Sequence, residues 1–204
     1  MQYRQVFDLL YHPVQEWESI REHDKAQPES VRTAIFHIVL TALIPPVCLL
    51  IGTTQLGWSI AGRNFVTLTF ESALPIAIAF YFAILVVTAC VAYSIYWMEQ
   101  TFGSQASMGR CITFTALTAT PLYFAGFAGL LPIVWLAMLV VTAAVAYCVY
   151  LLYVGLPVYM EVPPERGFIF ASSILTVGLV MLVSMMAVTV ILWSYGFTPQ
   201  TVRG

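Results

Sequence analysis

Residues 168–195 read FIFASSILTVGLVMLVSMMAVTVILWSY, with no charged side chain anywhere in the stretch. A bilayer's hydrocarbon core is about 30 Å thick and a helix crosses it in about 20 apolar residues, so this run predicts a transmembrane helix. Working back from it, further stretches of the same kind occur at 132–156, 111–130, 73–97 and 33–56, with nearly all charges in the gaps between them. The expected fold class is therefore an all-α integral membrane protein with five transmembrane helices. Composition agrees, since 60% of residues are hydrophobic, 9% are charged and mean hydropathy is +0.87, far from the norm of a soluble domain. Three regions follow: a cytoplasmic arm at 1–32, a five-span membrane domain at 33–195 and an external tail at 196–204.

Arg and Lys set the expected orientation. Arg4, Arg21, Lys25 and Arg32 precede the first span, Arg110 precedes the third and Arg166 the fifth, against Arg63 and Arg203 on the other side. The positive-inside rule places the N-terminus in the cytoplasm and the C-terminus outside. The arm lacks the basic, apolar and cleavage-site sequence of a signal peptide, so the first span is expected to act as a signal anchor. After His12–Pro13, the spacing of Val14, Trp17 and Ile20 among charged neighbours predicts a short amphipathic helix, lying on the inner leaflet or against the bundle.

Prolines punctuate the spans. Pro75 and Pro132 are expected in the first turns of spans two and four, and Pro157 with Pro163–Pro164 to end span four. Only Gly129, Leu130 and Leu131 separate span three from Pro132, which calls for a tight hairpin. Pro45 and Pro46 fall near the middle of span one, where two missing donors predict a kink whose freed carbonyls need partners. Gly52 and Gln55, in GTTQLGW at 52–58, are expected in an irregular capping or gating element at the outer face.

Span two contains LVVTACVAYSIY (85–96) and span four LVVTAAVAYCVY (139–150), identical at 9 of 12 positions with a constant offset of 54. Spans two–three and four–five thus read as parallel repeats. Thr88, Ala92 and Tyr96, like Thr142, Ala146 and Tyr150, fall four apart, which gives each helix a stripe of small residues suited to close packing. Together with Tyr93 and Tyr147 these residues are candidates for a helix interface or a pocket.

Chemistry is sparse. His37 and Glu71 are the candidate polar residues near the spans, and a buried carboxylate relay is missing from the pattern. The sequence contains no H-E-x-x-H, G-x-S-x-G or Walker motif, so no catalytic residues are expected. His12, His23 and His37 lack metal-ligand spacing, and Cys48, Cys90, Cys111 and Cys148 lie apart in or beside apolar runs; no metal and no cofactor is expected. A net charge of −2 leaves no basic surface for nucleic acid. Thr113, Thr115, Thr118 and Thr120 are expected to bond their own helix's carbonyls.

IPPVCLLIGTTQLGW (44–58), ATPLYFAGFAGLLPIVWL (119–136), YLLYVGLPVYMEVPPERG (150–167) and TVILWSYG (189–196) together resemble the YIP family of Rab-interacting membrane proteins. The resemblance covers nearly the whole chain and implies five spans, a cytoplasmic N-terminus, and, for a bacterial member, residence in the inner membrane. Eukaryotic members associate with Rab-type GTPases through a longer cytoplasmic region. The shortness of this arm argues against GTPase binding. The expected function is non-enzymatic: lateral association with itself or with other membrane proteins, organising the bilayer or serving as an adaptor. The alternative is a small-solute transporter or channel at the repeat interface.

Overall fold

In the computed structural model, residues 13–26, 31–59, 65–102, 106–194 and 201–203 are described. Arg4, His12 and Arg63, and the arm ahead of residue 13, lie outside them. The elements are α1 (Pro13–Ala26), α2 (Val31–Thr41), α3 (Ile44–Ile51) continued by a π-helical turn (Gly52–Leu56), β1 (Val66–Leu68), α4 (Phe70–Phe102), α5 (Met108–Phe124) continued by a 3₁₀ turn (Ala125–Leu130), α6 (Val134–Tyr159), α7 (Pro164–Ser194) and β2 (Thr201–Arg203). Five helical segments are long and apolar enough to cross a membrane: Val31–Leu56, Phe70–Thr101, Met108–Leu130, Val134–Tyr159 and Pro164–Ile191.

Four helices form a ring in which α4 packs on α5, α5 on α6, α6 on α7 and α7 back on α4. The core inside that ring is built from Ile95, Phe114, Leu117, Leu151, Leu156 and Phe170. The first span packs outside it, α2 on α5, and α3 on α4 and the 3₁₀ turn. The core gathers at the end where α1 docks, called here the arm end.

Local signals explain the boundaries, and three differ from the proline-based expectation. Helix α4 starts five residues before Pro75, because Thr69 caps it: its carbonyl accepts from the Ser72 and Ala73 amides at 3.1 and 3.0 Å. Pro132 lies just before α6, and its carbonyl accepts from the Ser59 amide at 2.9 Å. Pro157 is inside α6, which ends instead at Tyr159; two residues on, Glu161 has a φ of 56° that lets the Val162 amide turn back to the Pro157 carbonyl at 3.1 Å. Ser107 caps α5, its hydroxyl accepting from the Arg110 amide. At the far end β1 pairs antiparallel with β2, Thr67 opposite Val202, so part of the tail folds back onto the loop that follows the first span.

Candidate functional site

The two copies of the duplicated block occupy different surroundings. On α4, Thr88 and Ala92 are buried; the Thr88 hydroxyl donates to its own Ile84 carbonyl at 2.8 Å and therefore accepts from the buried Tyr123 hydroxyl of α5 at 2.7 Å. On α6, Thr142 and Ala146 are exposed, and Thr142 bonds only back to Met138 at 2.8 Å. Tyr93, Tyr96, Trp97, Gln100 and Thr101 line a shallow depression of about 240 Å³ on α4. Tyr147 and Tyr150 meet at a tilt of 43° on α6, ring centroids 5.8 Å apart. Tyr96 of α4 and Tyr147 of α6 both pack against the bundle's core cluster, while Tyr93 and Tyr150 are exposed.

The first span bends as two consecutive prolines require. The helix breaks at Ala42–Leu43, where the Leu43 amide shifts to the Leu40 carbonyl at 3.3 Å, and the Val39 carbonyl released by that shift accepts from Tyr81 of α4 at 3.2 Å. Tyr81 is a partner that no sequence motif announces. Just before the bend, His37 is buried; Thr120 gives its hydroxyl hydrogen to Ala116 at 2.7 Å, so His37 Nε2–H donates to Thr120 Oγ1 at 3.1 Å. Such bonds between membrane helices are worth about 0.6 kcal/mol on average and up to about 1.7. His37 thus ties α2 to α5 rather than facing water.

Beyond the bend, α3 meets the 3₁₀ turn backbone to backbone. A Cβ on Gly126 would stand 2.6 Å from Pro45 Cα, and one on Gly52 would stand 1.8 Å from the Gly129 carbonyl oxygen. Pro46 and Gly52 are buried, Pro45 is half-buried, and Gln55 is exposed. Trp58 then pairs with Val66, and Ser59 with Ile133, which stitches this segment to the far-end loops. Glu71 is exposed in the first turn of α4, where the helix dipole favours an acid.

The arm end holds the principal polar cluster among the described residues. Trp17 of α1 is fully buried, with Phe114 at 5.1 Å and Tyr159 at 5.6 Å between ring centroids, over Gly155 of α6. Ile20 is buried beside it, while Val14 is half exposed. Arg110 of α5 lies at the centre: its Nε is 3.5 Å from Asp24 of α1, its Nη2 is 3.6 Å from Glu161, and it donates to the Tyr159 carbonyl while its guanidinium sits over the Tyr159 ring. The Tyr159 hydroxyl donates to Asp24 at 3.2 Å, and Arg21 donates to the Val158 carbonyl at 3.3 Å. Glu99 is buried next to this group. Four polar atoms of the cluster make no hydrogen bond, Trp17 Nε1, Arg21 Nε, Glu99 Oε2 and Arg110 Nε, the last held only by its ion pair with Asp24. Each such buried group costs about 1–3 kcal/mol.

Sequence reasoning placed α1 but missed its seat, because Gly155 and Tyr159 carry no sign of a partner more than 100 residues away. Thr115 and Thr120 bond back to Cys111 and Ala116 as expected, but Thr118 does not, its buried hydroxyl making no hydrogen bond. Cys48 and Cys111 are buried, Cys90 and Cys148 partly so, and all are free thiols. No group of three His, Cys, Asp or Glu able to hold a metal occurs among the described residues.

These elements define a class of protein: a helical membrane protein with five helices able to span a bilayer and polar bonds tying neighbouring helices together. Comparison with known proteins narrows the class. The Yip1 domain matches residues 7–185, and the chain is 37% identical over 193 residues to the inner membrane protein YohC of Escherichia coli K12, covering 94% of this chain and 97% of that one. The YohC of a second E. coli strain matches equally. The chain belongs to the Yip1 family. No solved structure matches it.

Proposed function

We propose that this protein acts without catalysis, by lateral association with itself or other membrane proteins in a bacterial inner membrane, where it organises the bilayer or serves as an adaptor. Its arm end faces the cytoplasm on this reading. The supporting observation is the contrast between the duplicated stripes. Thr88 and Ala92 form a helix-packing surface covered by α5, whereas Thr142 and Ala146 present the same residue types to the bilayer. In lipid, helices associate through packing of small side chains rather than through hydrophobic exclusion, so an uncovered copy of a packing stripe suits a neighbouring helix. The resemblance of the chain to an inner membrane protein supports the location.

Transport along the repeat interface draws less support, since its candidate residues diverge: Thr88 and Ala92 are inside the bundle, Thr142 and Ala146 on its surface. Replacement by leucine tests the preferred reading. Ala146→Leu is expected to lower the oligomeric fraction in lipid nanodiscs, counted by single-molecule photobleaching, with thermal stability retained. Ala92→Leu is expected to lower stability, by about 1–3 kcal/mol for overpacking a filled site. A wild-type protein that stays monomeric and captures no membrane partner, or an oligomer indifferent to Ala146→Leu, would retire the proposed surface.

A further inference from the structure

The arm helix is held unevenly. Its apolar hold is Trp17, enclosed by Phe114, Tyr159 and Gly155, with Ile20 beside it. Its polar hold includes Asp24, whose Oδ2 lies 3.5 Å from Arg110 Nε and accepts from Tyr159 Oη at 3.2 Å, both long for their type, and Arg21, which donates to the Val158 carbonyl at 3.3 Å. Docking also buries Trp17 Nε1 and Arg21 Nε without hydrogen-bond partners, and both donors would recover partners in water. Helix α1 packs on α6 and is absent from the ring's own helix pairs, so the ring does not need it to close. A helix outside the ring whose docking leaves buried donors unmatched can open locally while the rest stays folded.

We propose that α1 is a strap that exchanges between this docked position and a released one, and that release opens the seat formed by Phe114, Tyr159 and Gly155 at the arm end. The seat itself contains the means to test this. A Cβ on Gly155 would stand 2.3 Å from Trp17 Cε2 and 2.5 Å from Nε1. The indole is rigid and enclosed, so Gly155→Ala displaces the strap, whereas alanine in place of glycine favours the α6 helix itself.

The experiment is thiol labelling of the full chain in membranes with both faces accessible to a water-soluble maleimide, after Cys48, Cys90, Cys111 and Cys148 are replaced by Ala. Ile20→Cys reports the seat-facing side of the strap, its neighbour Ser19→Cys reports the exposed side, and Leu151→Cys reports the ring interior. Ser19→Cys is expected to react fast and Ile20→Cys slowly but to completion. Adding Gly155→Ala or Asp24→Asn should speed Ile20→Cys by about tenfold or more, as expected when a local opening becomes more populated, and leave Ser19→Cys unchanged. The proposal is overturned if Ile20→Cys reacts as fast as Ser19→Cys with the native seat, since the arm is then not docked. It is equally overturned if Ile20→Cys stays unmodified with Gly155→Ala, or if Leu151→Cys accelerates in step with it, which would make the opening an unfolding of the ring.

Discussion

Gly52 and Gly129 bring two backbones into contact where α3 crosses the 3₁₀ turn, and a single methyl group is enough to separate them. Because the obstructing atom is a carbonyl oxygen 1.8 Å from the added Cβ, no side-chain rotation can relieve the clash. Gly52→Ala is therefore expected to cost about 1–3 kcal/mol or more, seen as a lower melting temperature of the detergent-solubilised protein. Gly178 supplies the control, for nothing lies within 4 Å of its would-be Cβ, and Gly178→Ala should leave the melting temperature unchanged or slightly raised. At this scale the sequence shows which residues are small, and the structure shows which of them have to be. Gly155 looks no different from Gly178 in the sequence, yet it lies against an indole.

The bend in the first span belongs to the element scale. Pro45 and Pro46 deprive the Thr41 and Ala42 carbonyls of their helical donors, the helix breaks at Ala42–Leu43, and the shift of the Leu43 amide to Leu40 releases the Val39 carbonyl as well. Tyr81 satisfies that carbonyl from α4. Tyr81→Phe keeps the ring and removes only the donor, so it should cost about 0.6 kcal/mol, up to about 1.7, measured as a small loss of stability with the helix content unchanged. A drop beyond that range would show that the hydroxyl does more than mend the bend. The bend was legible in the sequence because two prolines impose it locally. Its partner was not, for Tyr81 lies 42 residues away and is one of 11 tyrosines.

Over the whole molecule, α4 with 33 residues and α7 with 31 are about 50 and 46 Å long at 1.5 Å per residue, so both overrun a 30 Å hydrocarbon core. In a bilayer that excess would carry their ends to the headgroups, with the exposed Glu71 at one end of α4 and Glu99 at the other. On the proposed topology five crossings place the termini on opposite sides, with the arm inside as the distribution of Arg and Lys predicts. Fused at the N-terminus, a fluorescent protein that folds only in the cytoplasm should glow, and at the C-terminus it should stay dark. Fluorescence from both ends would require an even number of crossings and refute the orientation.

The sequence by itself determined the number and approximate extent of the apolar helices, the broken first span, the amphipathic arm and the family. Each is a one-dimensional property: a helix satisfies its own backbone, so crossing a bilayer depends on the length and polarity of a single segment. Only the tertiary structure decided which faces meet. In a soluble helix the buried side is the apolar side, but here lipid and neighbouring helix are equally apolar, and no periodicity separates them. The duplicated blocks make the point. Thr88 and Ala92 are buried in one copy while their counterparts Thr142 and Ala146 are exposed in the other, and what differs is the neighbour, which neither block encodes. The arm's seat was hidden for a related reason: Arg110 and Glu161 read as ordinary flanking charges until the fold brings Asp24 and Tyr159 to them.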